Sequence, residues 1–129
     1  MATTQEDTIV AIATPPGEGA IGIVRLSGPQ AIEVVGRLFR PVTQAPRLSL
    51  QPARAYHGTL LHPHTGEMID EVLTTTYRAP KSYTGEDVAE ISAHGSTVVL
   101  RSIVEACLAV HESRNTDHAI RLADRKSVV

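Results

Sequence analysis

Apolar and polar positions alternate along much of the chain in short blocks that predict β-strands. Two β-branched apolar runs, 8–14 and 20–27, flank a segment rich in Pro and Gly, which is typical of strands joined by a tight connection. Similar blocks at 56–61, 71–77 and 88–93 predict three further strands, with a hairpin loop between the first two. The pattern therefore indicates a sheet with mostly hairpin-type pairings.

Two segments instead carry apolar residues at helical spacing. They are residues 30–39 and the stretch that follows Ser96. Ser96 suits the N-cap of the second helix, and Ser27 or Gly28 suits that of the first. The predicted order is β-β-α-β-β-β-α. The predicted fold class is α+β, with a mixed, mostly antiparallel sheet and two helices.

Residues 1–110 form one predicted domain, and residues 111–129 form an atypical polar tail. The tail is rich in Asp, Glu, Lys and Arg and poor in large apolar residues. We expect either a short solvent-facing helix after Asp117 or a disordered segment. The proline-rich stretch 40–55 is expected to be a surface connection between elements.

Composition narrows the classes of function. The chain has 129 residues, 12 basic against 14 acidic side chains, and only 3% aromatic residues. Such a chain offers neither the charge nor the rings that nucleic acids require, so we expect no direct nucleic-acid binding by this segment. Cys107 is the single cysteine, which favours a reducing compartment. With no signal-like start and no long apolar run, the chain is expected to be soluble and cytoplasmic, with no membrane partner.

Gly17, Gly19 and Gly22 have the G-x-G-x-x-G spacing of dinucleotide-binding loops. That motif needs a helix N-terminus after the third glycine, whereas a strand pattern follows here. We expect Gly17 and Gly19 to form a turn and Gly22 to allow a close approach within a strand. The chain also contains no P-loop motif.

Arg25 is the most informative polar residue of the first block. Apolar residues occupy both parities of its strand, which predicts burial on both faces. A buried guanidinium needs an acceptor, although its long stem also allows the charge to reach water, and both alternatives stay open. Candidate acceptors cluster downstream, where Glu86 precedes a strand whose one face carries Glu90, Ser92 and His94. They predict either a concave polar site or an ordinary solvated sheet face.

Other clusters carry less information. His62, His64, Glu67 and Asp70 have the right chemistry for a metal site, but solvated turn residues explain them more simply. Cys107 falls on the apolar stripe of the second helix and is expected to be a small buried hydrophobe.

Two long blocks carry a family resemblance. DTIVAIATPPGEGAIGIVRLSG at 7–28 and YTGEDVAEISAHG at 83–95 resemble the N-terminal domain of the MnmE (TrmE) family of bacterial tRNA-modification GTPases. The resemblance implies a homodimerising domain similar to the folate-binding domain of the glycine-cleavage aminomethyltransferases. It also implies a bound 5-formyl- or methylene-tetrahydrofolate. In full-length members the partners are the flavoprotein MnmG and tRNA, and GTP, potassium and magnesium belong to segments that this sequence does not match.

The resemblance also implies residue roles. Glu86 and Glu90 would accept the N–H groups of the pterin, and Arg25 would meet either the folate's glutamate tail or a supporting carboxylate. The remaining wall of the site would consist of Ser82, Tyr83, Thr84 and His94. The leading interpretation is a binding and dimerisation module. The alternatives are a one-carbon transferase that uses Glu90 or His94 as general base, and a purely structural dimerisation scaffold.

Overall fold

The computed structural model describes residues 7–14, 20–42, 50–82, 84–112 and 120–122. These residues form seven strands and two helices. In chain order the elements are β1 (Thr8–Ile12), β2 (Ile21–Ser27), α1 (Ala31–Leu38), β3 (Phe39–Pro41), β4 (Ala55–Leu61), β5 (Met68–Tyr77), β6 (Val88–His94), α2 (Thr97–Glu112) and β7 (Ile120–Leu122).

The strands form a single sheet in the order β3-β4-β5-β6-β2-β1-β7. Every neighbouring pair is antiparallel except β1 and β7, which run parallel. The α+β class, the mostly antiparallel mixed sheet and the two helices are therefore confirmed. Neither α1 nor α2 combines the length and the hydropathy that a bilayer-spanning helix needs.

Two short edge strands differ from the sequence-based prediction. Phe39–Pro41 continues from α1 and pairs with β4, where a helix end and a surface connection were expected. Pro41 is tolerated there because an edge strand leaves N–H groups free of ladder bonds. Residues 120–122 form a strand beside β1, so the expectation of a helix or a disordered segment is wrong for these three residues. The rest of the tail, 113–119 and 123–129, lies outside the described residues.

Both helices pack on the same face of the sheet, because alternate strand residues are apolar on that face. The buried cluster includes Val10, Val24, Leu26, Leu60 and Ile91 from the strands and Val34, Val35, Leu38, Ile103 and Cys107 from the helices. Residues of the opposite parity form what we call the open face, which includes Ile21, Ile23, Arg25 and Ser27 of β2, Glu90, Ser92 and His94 of β6, and Leu73 of β5.

The open face corrects one prediction about β2. Apolar side chains of both parities suggested burial on both sides of this strand. In the structure Val24 and Leu26 are fully buried, whereas Ile21 is 66% exposed. The second set of isoleucines therefore forms an accessible surface on the sheet instead of a second core.

A close contact between β2 and α2 and the N-caps of the two helices show how the helices join the sheet. A Cβ on Gly22 would lie 2.5 Å from Cδ1 of Leu100, so the expected close approach at Gly22 is made by α2. Ser96 caps α2, since its Oγ accepts the N–H of Val99 at 3.4 Å. The cap predicted for α1 at Ser27 or Gly28 is wrong, because Ser27 is the last residue of β2 and the helix begins later. The N-cap residue is Gln30, which makes no side-chain cap bond.

Cys107 gives the core a measurable pH dependence. Burial raises the pKa of its thiol from the ordinary 9.0 to about 12. The unfolded chain therefore loses this proton at a lower pH than the folded chain. The contribution of the neutral thiol to the free energy of unfolding is fully present below pH 9 and declines between about pH 9 and 12. We expect the difference in unfolding free energy between wild type and Cys107→Ala to shrink by about 1.4 kcal/mol per pH unit in that window. Urea denaturation at pH 8, 10 and 11 measures it, and a difference independent of pH would contradict a buried neutral thiol.

Candidate functional site

Arg25 and Glu90 lie directly opposite each other in the antiparallel register of β2 and β6. The guanidinium Nε is 2.7 Å and Nη2 is 2.5 Å from the same carboxylate oxygen, Oε2 of Glu90. Their side chains are only 15% and 18% exposed. Of the two alternatives left open for Arg25, the structure therefore favours pairing with an acidic side chain of the protein.

A second polar group lies two residues further along β2. Ser27 is only 4% exposed, and its side chain points to the open face. Its Oγ lies 2.7 Å from Oγ1 of Thr84 and 3.4 Å from Oε1 of Glu86. The backbone N–H of Glu86 donates to Thr84 Oγ1 at 3.3 Å. Ser27 thus connects the end of β2 to the loop that precedes β6.

That loop is held by several bonds to its own ends. The Ser82 hydroxyl donates to the carbonyl oxygen of Glu86, and the N–H of Ala79 donates to Oδ1 of Asp87 at 2.9 Å. The carbonyl oxygen of Asp87 accepts the N–H of Gly28 at 2.9 Å. The loop is consequently tied to β2, and its Glu86 contacts Ser27, which lies two residues beyond Arg25 on the same face of β2.

His94 lies apart from this group. It is four residues from Glu90 on the same strand, which corresponds to roughly 13 Å at the usual rise of a strand. Its backbone N–H donates to Oδ2 of Asp70 at 2.9 Å, and its Nδ1 lies 2.8 Å from Oδ1 of the same carboxylate. The imidazole is 73% exposed, whereas Asp70 is 8% exposed. The buried carboxylate of Asp70 therefore fixes the orientation of the exposed His94 ring.

The structure thus brings Arg25, Glu90, Thr84 and Glu86 to one end of the open face and leaves His94 at the other end. Ser82 supports the loop from within. Tyr83 lies outside the described residues.

Sequence reasoning missed two residues, Ser27 and Asp70. Ser27 was interpreted as a helix cap, although its parity with Arg25 already indicated the same sheet face. Asp70 was grouped with His62 and His64. Instead, His62 Nδ1 accepts the backbone N–H of His64 at 3.1 Å, as a turn residue does. Among the described residues no cluster of three His, Cys, Asp or Glu side chains could hold a metal ion.

Comparisons with known proteins identify the family of the chain. The family model described as "GTP-binding protein TrmE N-terminus" matches residues 8–125. Three curated relatives are named tRNA modification GTPase MnmE. That of Carboxydothermus hydrogenoformans is 53% identical over 104 residues, which cover 80% of this chain and 22% of the relative. That of Chloroflexus aurantiacus is 52% identical over 103 residues (80% and 22%), and that of Thermus thermophilus is 49% identical over 104 residues (81% and 23%).

These matches define the class of domain, an α+β module that begins a larger GTP-binding protein in its relatives. The chain belongs to the TrmE N-terminal family, so the resemblance is confirmed. It spans about a fifth of the length of the curated relatives it matches.

The Arg25–Glu90 pair should contribute far more to stability than an exposed pair. Glu90→Gln removes the charged acceptor from a mostly buried guanidinium, and we expect a loss of about 1.5–3 kcal/mol. Glu33→Gln is the matched control because Glu33 pairs with Arg37 on the surface of α1, where both side chains are about half exposed. That substitution should cost no more than about 0.5 kcal/mol.

Urea midpoints followed by circular dichroism compare the two variants. Equal midpoint shifts for Glu90→Gln and Glu33→Gln would contradict a special contribution from the cross-strand pair.

Proposed function

We propose that this domain binds a reduced folate at the end of the open face where Glu86 and Arg25 lie. The observation that supports the proposal is a partly buried carboxylate, Glu86, whose Oε1 lies 3.4 Å from Oγ of Ser27, on the strand face that also carries the mostly buried Arg25–Glu90 pair. A pterin presents a ring N–H next to an exocyclic NH₂ group, and a carboxylate can accept both with its two oxygens. The ligand in this proposal is 5-formyl- or methylene-tetrahydrofolate.

The geometry refines the roles within the proposal. Glu90 is engaged by Arg25, so we assign it to hold the guanidinium and assign the pterin to Glu86. Arg25 then offers positive charge towards the ligand's carboxylates while it remains paired. Thr84 belongs to the wall of the site, and His94 belongs to the far end of the same face.

We also propose that a second copy of the domain packs on the open face. Ile21 is 66% and Leu73 is 47% exposed there, and both line one shallow cleft of about 250 Å³. Exposed apolar side chains that share a cleft on an uncovered sheet face favour association. In a symmetric dimer each copy contributes the same patch, which suits the homodimer expected from the family.

In full-length members of the family, as we propose, such a module serves a GTPase that modifies the wobble uridine of tRNA in the cytoplasm, together with a flavoprotein. The folate supplies the one-carbon chemistry, and this domain binds and orients it. GTP, potassium and magnesium act, in this proposal, on the rest of the protein. A transferase activity of this domain alone has less support. One candidate base, Glu90, is bound to Arg25, and the other, His94, lies roughly 13 Å from Glu90 along the strand.

Isothermal calorimetry with 5-formyl-tetrahydrofolate tests the folate proposal. Glu86→Gln removes the charge and one of the two acceptor oxygens, and we expect at least about ten-fold weaker binding. Glu33→Gln is the control, since Glu33 is a half-exposed acid on α1, on the helical side of the sheet, and pairs with Arg37. That variant should bind within about two-fold of wild type.

The same titration separates the competing functions. A folded, dimeric wild type that releases no heat with the folate would support the structural scaffold. Turnover of the folate without any partner protein would support the transferase.

Sedimentation velocity tests the dimer. We expect Ile21→Glu to shift the protein towards monomer, because a charge would be buried in the proposed interface. Val98→Glu is the control: Val98 is 74% exposed, but it lies on α2, on the helical side of the sheet. Loss of the dimer in Val98→Glu alone would move the interface to the helices and contradict the proposal.

A further inference from the structure

Ser27 and Thr84 make contacts that the proposed pterin site does not by itself explain. Ser27 is almost fully buried, yet its hydroxyl faces the loop and not the core. It touches both Thr84 and the carboxylate of Glu86. The Ser27 hydroxyl therefore joins two residues of the loop, Thr84 and Glu86, to the end of β2.

The direction of these hydrogen bonds follows from counting protons. An ionised carboxylate only accepts, so the Ser27 hydroxyl must donate to Oε1 of Glu86. Ser27 has one proton, and the bond between the two hydroxyls must therefore be donated by Thr84. The Thr84 oxygen in turn accepts the backbone N–H of Glu86. The result is a closed circuit from Thr84 to Ser27 to Glu86 and back to Thr84.

We infer that Ser27 is a positioning residue that, with Thr84, fixes the carboxylate of Glu86 so that Oε2 faces the ligand. This inference rests on the proposed folate site. The circuit occupies Oε1 from the protein side, which limits rotation of the carboxylate plane. Hydrogen bonds in such a chain also polarise one another, which strengthens each of them.

The distances set the size of the expected effect. The contact between the two hydroxyls has the usual length of an O–H···O bond at 2.7 Å, whereas the contact from Ser27 to Glu86 is long at 3.4 Å. Ser27 therefore steers Glu86 without clamping it. Its loss should weaken binding by roughly five- to ten-fold, less than the loss of the Glu86 charge itself.

The variants are chosen so that the fold survives. Ser27→Ala leaves only the Thr84 hydroxyl without its acceptor, and Thr84 is exposed and can bond to water. Thr84→Val removes the hydroxyl with the same shape, and Thr84→Ser restores it. Ser92→Ala is the matched control, a serine-to-alanine change on the same open face but on the neighbouring strand.

Two measurements on these variants test the inference. The first is the dissociation constant for 5-formyl-tetrahydrofolate, expected to rise in Ser27→Ala and Thr84→Val but not in Thr84→Ser or Ser92→Ala. The second needs no folate: three-bond NMR couplings report the χ1 rotamer of Glu86, expected to be single in wild type and Thr84→Ser and averaged in Ser27→Ala.

The two measurements fail separately. If wild type binds the folate and Ser27→Ala binds it equally well, the positioning role is overturned and the folate site stands. If wild type does not bind the folate but Glu86 becomes averaged in Ser27→Ala, the positioning role stands and the folate site is overturned. An unchanged Glu86 rotamer in Ser27→Ala, with no folate binding by wild type, overturns both.

Discussion

A guanidinium that leaves water needs an acceptor, and the register between β2 and β6 supplies one for Arg25. Glu90 stands directly opposite it, and both side chains are largely withdrawn from solvent. A slip of one residue in this pairing would move Arg25 into the apolar core beside Ile91 of β6 and would move Val24 and Leu26 out of it. The ion pair and the hydrophobic core therefore favour the same register, and the polar end of the open face depends on both.

The loop before β6 extends this polar region by hydrogen bonds and by the ion pair of Arg78 with Asp87. Its described residues contact β2 through Ser27, Gly28 and Asp87. Such a loop is rigid enough to present a carboxylate and open enough for a ligand to reach it.

Alternation and helical spacing were sufficient to predict the five longer strands, both helices and the cap at Ser96, because those signals are local. Parity also indicated that Arg25 and Glu90 each occupy one face of a strand. It could not indicate that β2 and β6 are neighbours, since strand order is a non-local property. The same limit explains why β7 was missed and why Asp70 was not connected to His94, 24 residues away. Ser27 was assigned to a cap because its strand ends where a helix signal begins.

The side chain of Leu100 occupies the space between β2 and α2 that a side chain at Gly22 would need. The absence of a side chain at Gly22 allows α2 to pack closely against the sheet at this point. A side chain at position 22 would require the Leu100 side chain to shift, a smaller residue at position 100, or a wider separation of the layers. The side-chain sizes at the two positions are therefore coupled, and a redesign of this domain has to vary the two residues together.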